Sequence, residues 1–380
     1  MHCQPRSITF AGADICGFNG YASEALCARW AALGAWYPFS RDHHAEGFQE
    51  YYRWPAVAEV ARKAYGMRYR AMPSLYTSFF DSHVYGCPIM RPMFYTFPGD
   101  ATALNLNAQF MIGDSLLVAP CLEENGTNVN VYFPRGIWYD LYSFDVTDAS
   151  TAPQNKSLQV GLTDDVPLYV LGGTILTLGE GGLNTDAARN SSLTILVALP
   201  GGGNAPAPAL CGLGCPTSSN GSLLACGHMY LDGGEEVDLG TGANNYISMT
   251  ATAAQGGGSG RLDIQFQGNP LAQTNAGCSS GIDWPSISAI RILGAGAVDT
   301  SSVTVQALGT SPGQPTGVAG SVSYAPNTRT LSINNLDQPL ACPEGWRFTW
   351  TAAAVTPTAS AGMECFVQER RWSTTDLCDA

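Results

Sequence analysis

The sequence predicts a short α/β segment followed by two all-β domains. Three observations carry this. Apolar residues recur at helical spacing only within the first 85 positions or so. Beyond them the chain breaks into short alternating or fully apolar runs separated by turn residues. The 380 residues include 43 Gly and 23 Pro, a supply that suits a turn-rich β protein.

Element by element, Ile8 to Ala11 reads as a strand end. Leu26, Trp30, Leu33 and Tyr37 mark a helix, with Ser23 as its N-cap and Pro38 as its stop. A second helix opens at Pro55, with Val57, Val60, Ala61 and Ala64 on its apolar stripe. Pro73 breaks or kinks it, and Leu75, Phe79 and His83 continue a helical face, with Asp81 and His83 expected toward solvent. Next come strands at Ser115–Pro120, Val129–Phe133 and Ile137–Tyr139, with the aromatic run Trp138, Tyr139 and Tyr142 expected in the core rather than as a ligand platform. Val166–Val170 and Thr174–Thr177 flank a Gly172–Gly173 turn and close a first β unit near residue 178. Leu193–Leu199 opens a second unit, residues 200–227 read as a long loop, and Asp232–Glu235 as a hairpin turn. Strands around 262–266, 287–293, 303–305, 331–333 and 346–350 complete a β-sandwich. The expected boundaries are 1–85, 86–178 and 179–380, the last unit carrying the Cys-rich loop. The first segment is too short for a whole barrel and long enough for two β–α units of one.

Composition excludes several classes of function. Hydrophobic residues are 45% and charged residues 13%, enough to bury a sizeable core. Lys and Arg number 18 against 31 Asp and Glu, a net charge of -13, so nucleic acid and membrane are not expected partners. No apolar run reaches the roughly 20 residues of a membrane span. The twelve cysteines have no zinc-ligand spacing, so no metal is expected. Disulfides are expected instead, among Cys211, Cys215 and Cys226 and between the tail cysteines. Four Asn-x-Ser/Thr sequons start at Asn125, Asn155, Asn190 and Asn220 and point to a glycoprotein of the secretory route. Residues 1–7 contain no stretch of signal-peptide length, which conflicts with that route unless the chain is incomplete at its N-terminus.

Two polar clusters could carry chemistry. Gly12–Phe18 places Asp14 at the end of a strand, and Pro38–His44 follows the first helix where another strand would end. In a β/α barrel both would open on the substrate side. A carboxylate, a guanidinium and an imidazole converging there could bind the hydroxyls of a polar, uncharged ligand, with Phe18 and Trp36 offering apolar stacking surface. The plainer readings are Asp14 as a turn or cap residue, Arg41 and Asp42 as a surface ion pair, and His43 and His44 as ordinary loop residues.

These segments resemble glycoside hydrolase family 31, the α-glucosidase and α-xylosidase family. Gly12–Phe18, Glu24–Trp30, Leu33–Arg41 and Arg53–Trp54 follow its order. So do Met90–Phe94, Gln109–Pro120, Tyr132–Tyr139 and Tyr230–Glu235. The likeness is strong over about 8–178 and thin beyond. It implies the last β/α units of a (β/α)8 barrel followed by proximal and distal C-terminal β-sandwiches. It implies that Asp14 lines the non-reducing-end sugar subsite with Phe18 beside it. Arg41 would support that pocket, and His43 would hydrogen-bond the sugar. It pairs Cys16 with Cys27 in a disulfide, as in secreted and lysosomal members; the ER trimming glucosidase is a less close relative. Where the family usually has asparagines after the arginine, this chain has Asp42 and His44.

A retaining glycosidase needs two carboxyl groups about 5–5.5 Å apart. The family's nucleophile and acid/base motifs lie upstream of Gly12 and are not in this sequence, so no catalytic residue is expected here, and no cofactor. The resemblance therefore implies the C-terminal portion of a retaining α-glycosidase. Such an enzyme cleaves terminal α-glucosidic or α-xylosidic bonds in an α-linked oligosaccharide substrate. The missing N-terminal barrel segment would be its partner, and the implied location is the secretory pathway, outside the cell or in the lysosome or vacuole. The alternative is a catalytically inactive β-sandwich protein that binds glycans or another chain.

Overall fold

The computed structural model describes residues 9–201, 222–235, 244–268, 285–309, 314–340 and 345–354. The segment before residue 86 holds three helices: α1 (Glu24–Gly34), α2 (Pro55–Arg70) and α3 (Met72–Tyr85). The Ser23 hydroxyl caps α1 by accepting from the Leu26 amide at 3.1 Å. The helix stops at Gly34, so Tyr37 lies beyond its end. Pro55 occupies the first turn of α2 as expected. Instead of kinking one long helix, Pro73 sits in the first turn of a separate helix, α3. Arg68 on α2 donates to the carbonyls of Ala35, Tyr37 and Pro38 at 2.6, 2.7 and 3.2 Å, satisfying acceptors in the turn that follows α1.

Six short strands form a first sheet in the order Met90–Pro92, Phe110–Ile112, Leu116–Val118, Leu168–Leu171, Ile137–Asp140 and Val146–Asp148. Asn128–Phe133 and Gln154–Gln159 form a separate two-stranded ribbon against it. Trp138 and Tyr139 are buried at 0% and 2% exposure, the core role expected of them, whereas Tyr142 falls in the turn after Ile137–Asp140 and is 38% exposed, which corrects its expected place in the core. The remaining strands form one eleven-stranded sheet. It rolls over on itself, so that Val298–Ala307 near one end meets Ser321–Ala325 at the other. Its interior is an apolar core including Ile247, Ile290, Ile292, Leu331 and Phe348.

Two strands are placed differently from the sequence reading. Thr174–Gly179, read from sequence as part of the first β unit, lies inside the large sheet, antiparallel to Leu193–Ala198. Leu223–Asp232 begins within the stretch read as loop and pairs antiparallel with Asn244–Ala253. Cys211 and Cys215 lie outside the described residues; Cys226 is disulfide-bonded, and so is Cys87.

The helical segment is fastened to both β units. Leu33, Val57 and Leu75 share a core with Val118, Val170, Leu176 and Leu196. Arg29 on α1 donates to the carbonyls of Gly161 at 2.7 Å and Gly126 at 2.6 Å. Asp81 corrects the expectation of solvent exposure. It is 3% exposed, and its Oδ2 lies 2.7 Å from His228 Nε2. Helix α3 turns Leu75, Thr77, Phe80 and Asp81 inward, a different face from Leu75, Phe79 and His83. His83 is exposed as expected.

Among the described residues, no helix is long and apolar enough to cross a membrane, and no cluster of three metal-type ligands occurs.

Candidate functional site

Residues 11–15 and 39–42 run side by side in parallel. The Phe39 amide donates to the Ala11 carbonyl at 3.1 Å, and the Ile15 amide to the Arg41 carbonyl at 2.9 Å. Ile15 and Asp42 form a parallel bridge. Gly12 permits this approach, because a Cβ there would collide with the Phe39 carbonyl oxygen. Two parallel chains separated by a helix are the repeating unit of a β/α barrel.

This register brings the two polar clusters together at one end. Arg41 Nε donates to Asp14 Oδ1 at 3.0 Å, and Nη2 reaches the same oxygen. Arg41 thus pairs with Asp14 rather than with its neighbour Asp42, and the expected surface pair does not form. The two side chains are 48% and 23% exposed, so the pair sits at an open rim and contributes little to stability. Its effect is to fix the direction of both groups.

The backbone turns sharply after Ile15. Cys16 and Gly17 both adopt positive φ, at 68° and 96°. That conformation suits glycine and strains cysteine. The turn carries Phe18 to the rim, where its ring lies 5.3 Å from the His43 ring. Cys16 and Cys27 face each other sulfur to sulfur, with Cα atoms 4.5 Å apart, joining the strained turn to α1.

Gln49 completes the arrangement and was not singled out from sequence. It is 3% exposed, and its amide reaches the carbonyls of Ile15 at 3.2 Å and Gly17 at 3.0 Å, and Asp42 Oδ1 at 3.3 Å. One buried side chain therefore holds the ends of both parallel chains. Burial raises the Asp42 carboxyl above the ordinary carboxylate range, and the Gln49 hydrogen bond works against that rise. His44 Nε2 meets the Gly47 carbonyl at 2.8 Å, a local loop contact. Trp36 corrects another expectation. At 2% exposure it belongs to the core and gives the rim no stacking surface.

The result is an open face with a fixed carboxylate–guanidinium pair, an aromatic ring and an exposed imidazole. It can hydrogen-bond hydroxyls and cover the apolar side of a ring-shaped ligand. Each carboxylate is committed to a partner, Asp14 to Arg41 and Asp42 to Gln49.

Residues 4–78 match the glycosyl hydrolase family 31 TIM-barrel domain, and residues 86–176 match the family 31 C-terminal domain. Over these residues the chain belongs to glycosyl hydrolase family 31. A probable alpha-glucosidase of Oryza sativa subsp. japonica is 39% identical over 260 residues, 68% of this chain and 27% of the rice protein. Alpha-xylosidase 1 of Arabidopsis thaliana is 36% identical over 254 residues, 66% of this chain and 26% of that protein. The chain thus spans about a quarter of the length of these curated relatives. The crystal structure of the glucosidase II alpha subunit superposes with a TM-score of 0.72 at 23% identity, covering 90% of this chain and 34% of that one. At that identity the likeness shows the fold: a barrel tail followed by β-sandwich domains.

Proposed function

We propose that these residues form the sugar-holding side of an α-glycosidase active site, acting on terminal α-glucosidic or α-xylosidic bonds of oligosaccharides. The observation that carries the reading is the Asp14–Arg41 pair, held at the ends of two parallel chains with Phe18 and His43 beside it. Arg41 orients the Asp14 carboxylate toward sugar hydroxyls, His43 donates or accepts at a further hydroxyl, and Phe18 covers the ring's apolar face. The family relationship and the α-glucosidase and α-xylosidase names of the relatives support this. The bond-breaking carboxyl groups are assigned to a barrel portion not contained in these residues, which then works as the partner of this face. The Cys16–Cys27 pairing and the sequons at Asn125, Asn155 and Asn190, all exposed, favour a secretory compartment.

The test is hydrolysis of maltose and of an aryl α-xyloside by the protein isolated from its source, beside its His43→Ala variant. At least a tenfold drop in kcat/KM is expected. An unchanged kcat/KM would remove His43 from the site. Saccharide binding without any hydrolysis would favour the inactive glycan-binding alternative.

A further inference from the structure

The Tyr230–Glu235 motif is not explained by the pocket at Asp14. In the structure it forms one wall of a cavity of about 230 Å³, where helix α3 meets the large sheet. Met72, Pro73 and Leu193 give this cavity an apolar floor. Tyr76, 41% exposed, lines it from α3. Asp186 and Arg189 line it from the short helix Thr185–Arg189.

Asp232 organises the polar side. Its side chain is 3% exposed. It accepts from the Tyr76 hydroxyl at 2.6 Å and from the Gly234 amide at 2.9 Å, and it lies 3.8 Å from Arg189 Nη2. Arg189 Nη2 also donates to the Asp232 carbonyl oxygen. Gly234, at φ 88°, leaves room for this guanidinium, which a Cβ would strike. The Tyr76 ring rests against Tyr230, with centroids 6.0 Å apart, and Tyr230 stacks in turn on Phe80 at 3.9 Å. The aromatic wall is therefore fixed before any ligand arrives, which reduces the ordering cost of binding.

We infer that this cavity is a second binding site for a neutral, hydroxyl-rich ring, a single sugar unit. Charge decides against an anion. The Arg189 guanidinium is already matched by buried Asp232, and exposed Asp186 adds negative charge. Size decides against a large ligand, since drug-sized pockets run to about 300–1,000 Å³. The remaining chemistry suits a pyranose. Tyr76 supplies a rigid aromatic surface for its apolar face. Asp186 supplies acceptor oxygens. Arg189 keeps donors, because a guanidinium has five N–H groups and the contacts with Asp232 engage only Nη2. This site does not depend on the reading of the Asp14 pocket.

The test is titration of the isotopically labelled protein with glucose and maltose, following the Tyr76 ring signals by NMR, assigned through Tyr76→Phe. Thr185→Trp, at an exposed rim position, closes the cavity, and Arg41→Met disables the other pocket. The inference expects saturable shifts of Tyr76 that persist in Arg41→Met and weaken at least tenfold in Thr185→Trp. Glucose 6-phosphate should bind more weakly than glucose. Tyr76 signals unmoved by sugar in a folded protein would overturn the inference, as would shifts lost in Arg41→Met but kept in Thr185→Trp. Loss of the Asp14 pocket's binding alone would count against the proposed function and leave this site standing.

Discussion

Asp81 and His228, 147 positions apart in sequence, meet at 2.7 Å with side chains 5% and 7% exposed. The contact ties α3 to the strand Leu223–Asp232. The His228 ring also stacks on Tyr246 at 5.1 Å. Removing one member leaves the other buried without its partner. His228→Ala is expected to cost about 3 kcal/mol, read as a lower midpoint in denaturant unfolding. A loss below about 0.5 kcal/mol would mean that water replaces the imidazole.

Asp42 gives a pH prediction. Its carboxyl is raised by burial, so the folded state holds this proton at a pH where the unfolded chain, near 3.9, has released it. Its contribution to stability therefore declines as pH rises from about 4 through the raised folded value. Asp42→Asn should remove that decline. Gln49→Leu deletes the opposing hydrogen bond and should move the carboxyl higher still, as followed by the Asp42 side-chain carbon in an NMR titration. A downward move would refute the assignment.

Gly12 carries the close approach of the two parallel chains. Gly12→Ala must push residue 39 away, with an expected cost of about 1–3 kcal/mol. The same shift would loosen the Asp14–Arg41 geometry. Weakened saccharide binding should accompany the lower melting temperature, and melting without any binding change would show that the pair forms independently of this spacing.

The Cys16–Cys27 link closes a loop across a sequence separation of 11. Cys27→Ser should cost about 2–3 kcal/mol. Peptide mapping without reductant should recover the two cysteines in one linked pair. Separate peptides would refute the bridge.

Local chemistry made much of this legible. Ser23 and Pro55 announced two helix starts, and the Gly12–Phe18 and Pro38–His44 clusters placed the rim. Asp81 was misread because nothing nearby in sequence reveals an acid whose partner is His228. Trp36 was misread because an aromatic beside a polar cluster looks the same whether it faces the ligand or the core. Gln49 gave no signal, since a lone glutamine in a polar loop shows its three contacts only after folding. The sheet membership of residues 174–179 was also out of reach. Thr174–Gly179 reads as a plain buried strand, and only its pairing reveals which sheet holds it.

That strand carries a consequence for how the molecule comes apart. Leu176 and Leu178 enter the core shared with the helices, while Ile175 enters the core of the rolled sheet. Leu193–Ala198 divides in the same way, with Leu196 and Ala198 on one side and Ile195 and Val197 on the other. Both strands are party walls, which is why they read as nearly unbroken apolar runs. A truncation at residue 178 would strip one tenant's wall along with the other's. The two cores should therefore melt as a single cooperative block, and a protease would find no seam between them.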